Sequence, residues 1–73
     1  MYTIVRGNEK WGVYTIEADG YTIFNVPTYA LTCQFLVWRL CDDQAWFYGA
    51  YNNMEDAVDV AEKVGGHVTQ INN

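Results

Sequence analysis

Residues 12–26, GVYTIEADGYTIFNV, alternate between apolar and polar positions on both sides of Asp19-Gly20. Tyr14, Ile16 and Ala18 recur at every second residue before the pair, and Tyr21, Ile23 and Asn25 answer them after it. A period of two is the mark of a strand with one buried face. A two-residue Asp-Gly link is the strongest short hairpin signal, because a type I′ turn needs positive φ at both of its central residues. Counting outward from the turn sets Ala18 opposite Tyr21, Ile16 opposite Ile23 and Tyr14 opposite Asn25. That side is largely apolar and is the predicted core face. The other side opposes Glu17 to Thr22 and Thr15 to Phe24 and is mixed. Upstream, residues 2–6 read as a strand, 7–10 as a connection and Trp11 as the start of the return. The first 26 residues therefore predict a three-stranded antiparallel meander.

Residues 27–42, PTYALTCQFLVWRLCD, carry no such alternation. Pro27 suits the first turn of a helix. Leu31, Phe35 and Trp38 follow i, i+4, i+7, and Ala30, Cys33, Val37 and Cys41 form a neighbouring stripe. A strand of this length would be unusually long. The spacing predicts a helix over 28–41 whose apolar sector, including Tyr29, Leu36 and Leu40, is wider than one sheet face can cover. The surplus calls for a second helix, a second copy or a foreign partner.

A turn and a strand follow over 42–51. Asn53 is a good N-cap with Asp56 three residues on. Ala57, Val58, Ala61 and Val64 make a buried stripe, Gly65-Gly66 ends the helix, and 67–71 form a short last strand. The whole reading is one α+β domain over 1–73: the meander, then helix-strand-helix-strand, with five strands and two helices.

Composition narrows the function. The 73 residues hold nine acids against four bases, a net charge of −5. Arg6, Lys10, Arg39 and Lys63 stand singly, whereas nucleic-acid binders cluster cations to displace counterions from phosphate. Direct contact with DNA, RNA or an anionic membrane is not expected, and an acidic chain is steered toward basic partners. No charged-then-apolar leader opens the chain and no apolar run spans a bilayer, so the expected address is the cytoplasm. Cys33 and Cys41 would lie about 12 Å apart along a helix or roughly 26 Å apart along a strand. Both exceed the ~7 Å a disulfide allows, so both are expected to be free thiols in the core.

Catalytic groups are scarce. The chain has no serine and one histidine, His67. A cysteine–histidine nucleophile would have to join His67 to Cys33 or Cys41 without a cleft to serve it. These three residues lack the ligand spacing of a zinc site, and no phosphate-binding or calcium-binding motif occurs. No enzyme, metal or cofactor is expected. The aromatic stretch WFYGAY, 46–51, has the look of a base-stacking strand, but the charge balance points instead to a central strand of the core.

The acids themselves are gathered. Glu55, Asp59 and Glu62 stand at i, i+4, i+7 and align on one helix face. Asp42 and Asp43 add two more before the aromatic strand. Acids in a first turn favour the helix dipole, and Asp59–Lys63 is an ordinary i, i+4 pair. Glu62 in the last turn opposes the dipole, so helix stability does not account for the whole row. The expected function is thus non-catalytic binding to a basic protein, such as a nucleic-acid-handling complex. The surfaces would be the row Glu55, Asp59 and Glu62 with Asp42 and Asp43, and the apolar surplus around Tyr29, Leu36, Leu40 and Trp46. In size and charge the chain resembles small acidic inhibitors such as phage-encoded anti-CRISPR proteins and DNA mimics, a likeness of class and not of sequence. The alternative is a small homo-oligomeric accessory protein, such as a homodimer, that uses helix 28–41 as its self-interface.

Overall fold

Asp19 and Gly20 both take positive φ, +56° and +82°, and turn β2 (Val13–Ala18) back as β3 (Tyr21–Pro27). Ala18 pairs with Tyr21 and Ile16 with Ile23. The register then slips, so Tyr14 meets Val26 and not Asn25. Asn25 has φ +65° at the slip, where one strand accommodates an extra residue as a bulge does. β1 (Thr3–Asn8) lies antiparallel to β2 with its own slip between Ile4 and Arg6.

The computed structural model describes all 73 residues. After β3 come β4 (Phe35–Cys41), β5 (Gln44–Tyr51), the helix α1 (Met54–Val64) and β6 (His67–Gln70). All six strands join one mixed sheet in the order β1-β2-β3-β5-β4-β6. β3 and β5 run parallel, and every other neighbouring pair is antiparallel.

This overturns the plan of five strands and two helices. There is one α-helix, and the first three strands are the flank of a continuous mixed sheet, not a separate meander. The helix expected over 28–41 is a single 3-10 turn, Thr28–Thr32, followed by β4. Its physical cause is the position of β4 between β5 and β6. Phe35 and Val37 are buried toward α1, while Leu36 and Trp38 are buried on the opposite face. A strand covered on both faces is apolar at consecutive positions, which erases the period of two. The turn that closes the β4–β5 hairpin is equally disguised. Asp42 and Asp43 both adopt left-handed backbone, φ +53° and +65°, with Cys41 paired to Gln44. That repeats the geometry of Asp19-Gly20 without glycine, a conformation aspartate tolerates better than most residues. A self-interface made from helix 28–41 is excluded with the helix.

α1 forms where its caps place it. The Asn53 side chain accepts hydrogen bonds from the backbone N–H groups of Glu55 at 2.8 Å and Asp56 at 3.2 Å. Gly65 enters the left-handed region at φ +69°, and Gly66 N–H donates back to the Ala61 carbonyl at 2.8 Å. Ala57 and Ala61 face the sheet and pack on Phe35 and Val37, with Val60, Val64, Val68 and Tyr51 around them. Two alanines on the inner side let the helix approach closely.

The main core lies on the opposite face. Ile16, Ala18, Ile23, Val26, Leu36, Trp38 and Ala45 are capped there by Ala30 of the 3-10 turn and by Ile71 of the C-terminal tail. Tyr21 of β3 reaches across β5 to Trp38 of β4, ring centroids 4.7 Å apart. The Trp38 indole N–H donates to the buried Thr69 hydroxyl at 2.8 Å. The Asn72 amide donates to the Leu31 and Cys33 carbonyls, each at 2.8 Å, so the tail latches the segment that leads into β4.

Candidate functional site

α1 packs on β4, β6 and part of β5, leaving the β1–β2–β3 side of that sheet face uncovered. Register pairing lines up side chains across the uncovered strands and on to β5 and β4, where Arg39 lies on a strand that α1 itself contacts. Arg6 on β1 pairs with Thr15 on β2, Phe24 on β3 with Trp46 on β5, and Trp46 with Arg39 on β4. Arg6, Thr15, Phe24 and Trp46 line one shallow cleft of about 300 Å3. The Phe24 and Trp46 rings lie 5.3 Å apart and tilted by 36°, a favourable aromatic offset. The result is a transverse row with arginine at each end and an aromatic pair in the middle. It crosses five strands, four spacings of about 4.8 Å, or roughly 19 Å. The molecule's one ion pair, Lys63 to Asp59 at 3.1 Å, is elsewhere. Neither arginine has an acidic partner.

The acids expected to act together are partly together. Glu55, Asp59 and Glu62 all project from α1 into solvent, with Asp56 and the apolar side chains of Met54 and Val58 exposed beside them. Residues 54–64 contain four acids and Lys63, a net −3, so the other 62 residues contribute only −2 to the total of −5. Asp42 and Asp43 do not extend this row. They sit at the closed end of the β4–β5 hairpin, whereas α1 starts from its open end beyond Tyr51.

The apolar candidates disperse. Leu36 is completely buried in the main core and offers no surface. Tyr29 is 61% exposed but packs edge-on against Phe47, centroids 6.4 Å apart, on the side of the main core. Leu40 is 59% exposed near the hairpin tip, beside Asp43 and Tyr21. Only Trp46, 40% exposed, belongs to the bare half-face. The residues that complete its row, Arg6, Thr15, Phe24 and Arg39, carry no sequence signal as a set, because the parallel β3–β5 pairing that joins them links distant segments. The mixed face predicted for Thr15 and Phe24 is the one legible hint. Trp11 is also exposed, at the β1–β2 connection, with the Lys10 amine 5.8 Å above its ring.

Candidate reactive groups do not converge. Cys33 precedes β4 and Cys41 ends it, and both are free thiols. Contrary to expectation neither is a core residue: Cys33 is half-buried, donating to the Tyr29 carbonyl at 3.7 Å, and Cys41 is exposed. His67 is exposed and stacks on Trp38 with centroids 4.6 Å apart. No three His, Cys, Asp or Glu side chains gather with metal-binding geometry, and no helix is long and apolar enough to cross a membrane. Comparison of the chain with protein-family models, with curated proteins and with solved structures gives no match.

Proposed function

We propose that the protein is a non-catalytic binding module that presents the outer side of α1 to a basic surface of another protein. The observation that carries this reading is the concentration of charge: −3 of the net −5 projects from eleven residues of one capped helix. The inner side of that helix is held on the sheet by Ala57 and Ala61, so the carboxylates sit on a rigid support. A fixed array of like charge costs less ordering on association than a mobile one. Successive acids at i and i+4 stand about 5–6 Å apart, a spacing on the scale of backbone phosphates. A basic groove that normally receives nucleic acid is the natural complement. This is the chemistry of a phage or mobile-element inhibitor of a nucleic-acid-handling protein.

The test is capture from a host extract on immobilised protein, beside a Glu55→Lys, Asp59→Lys, Glu62→Lys variant with unchanged circular dichroism. A basic nucleic-acid-binding protein should be retained at low salt and released as screening shortens the reach of exposed charge below about 10 Å. The triple variant should retain none of it. Equal retention by both proteins would rule out the acidic helix as the binding surface.

A further inference from the structure

The bare half-face and the outer side of α1 complement each other, and we propose that they meet in a two-fold pair of this chain. Arg6 and Arg39 flank Phe24 and Trp46 and have no acid of their own. The outer side of α1 offers Glu55, Glu62 and Asp59, the last already paired with Lys63, together with the exposed apolar Met54 and Val58. One surface is cationic with an aromatic centre, and the other is anionic with aliphatic side chains between its acids.

The geometry closes. A helix on one half of a sheet face leaves a gap of about one helix diameter, roughly 10 Å, above the other half. Rotating a second copy by a half-turn about an axis between two facing sheets, parallel to the strands, places its α1 in that gap. Each helix then lies on its own sheet through Ala57 and Ala61, and on its partner's sheet through the acidic side. The contact is isologous, so it ends at two copies and does not propagate. Phe24 and Trp46 come to lie at the seam, and Arg6 beneath the partner's carboxylates.

Single-stranded nucleic acid is the other occupant that suits an Arg–aromatic row. The carboxylates of α1 wall the same sheet face, and the chain carries −5 overall. Both repel phosphate and favour an acidic occupant.

The pair occupies the same side of α1 that the proposed function offers to a foreign protein, so the two associations exclude each other; the pair is tested on the purified protein alone, where no foreign target competes. Sedimentation equilibrium at about 0.05 M salt should give twice 8.4 kDa, dissociating by at least about tenfold in affinity toward 0.5 M as exposed charges are screened. The Arg6→Glu, Arg39→Glu variant should be monomeric, and so should the Glu55→Lys, Asp59→Lys, Glu62→Lys variant, each with the thermal transition of a folded domain. Mixed one to one, the two variants restore complementary charge at both contacts and should recover the dimer. A wild-type monomer at every concentration, a dimer untouched by either variant, or failure of the mixture to associate would overturn the proposal. So would tight binding of an oligothymidylate probe that is lost in the arginine variant, since it would assign the row to nucleic acid.

Discussion

One face of this sheet is built in two ways. Beneath α1 the side chains are Phe35 and Val37, closed over by two alanines. Beyond α1 they are Arg6, Thr15, Phe24 and Trp46 around a shallow cleft, with Arg39 exposed beside Trp46. The halves share strands β4 and β5, so strand propensity does not separate them. What differs is the third layer. A single 11-residue helix, about 16 Å long at 1.5 Å per residue, covers two or three strands and no more. Residues 1–73 form no second α-helix over the rest. Large apolar side chains left in such a gap are where interaction surfaces form, and the arginines at its edges define what kind of surface it is.

The comparison breaks most visibly at Trp38 and Trp46, which lie on opposite faces of the β4–β5 hairpin. Trp38→Ala removes a buried ring that touches Tyr21 and His67 and bonds Thr69. It should cost about 3–5 kcal/mol, enough to leave so small a domain largely unfolded at room temperature, as urea titration would show. Trp46→Ala, at 40% exposure, should cost under about 1 kcal/mol in dilute solution while abolishing self-association. Equal losses of stability at the two positions would erase the distinction between core and surface.

Next in size is the seam under the helix. Ala61→Leu should overpack against Phe35 and Val37 and destabilise by about 1–3 kcal/mol. Val58→Leu on the outer side should change thermal stability by no more than ~0.5 kcal/mol. An effect of intermediate size sharpens the role of the cap. Asn53→Ala removes the acceptor for two backbone N–H groups and should cost about 1 kcal/mol. Amide exchange in the first turn of α1 should then accelerate, while the main core stays protected.

Much of the secondary structure is legible along the chain where one face is buried and the other wet. The β2–β3 hairpin, its Asp19-Gly20 turn, the Asn53 cap and the Gly65 stop are all local, and each depends on a few adjacent residues. The failures share a cause. β4 is apolar on both faces, so its residues satisfy a helical period as well as an extended one. Its turn uses Asp42-Asp43, where two side chains accept a backbone that glycine ordinarily supplies. The candidate site divides in the same way. The row Glu55, Asp59 and Glu62 is visible at helical spacing because it lies within one element. Leu36, placed on that same basis in a false helix, is in the core. Arg6 and Arg39 read as isolated cations because 33 positions separate them in the sequence.

By itself, then, the amino-acid sequence determined a small acidic chain with a β-hairpin near its start and a capped acidic helix near its end. Tertiary structure alone decided that β3 runs beside β5, that six strands share one sheet, and that α1 covers half a face. Local signals act over a turn or a hairpin, a few residues at a time. The parallel pairing of Phe24 with Trp46 is a contact across 22 positions, chosen by how apolar area is best buried over the whole chain.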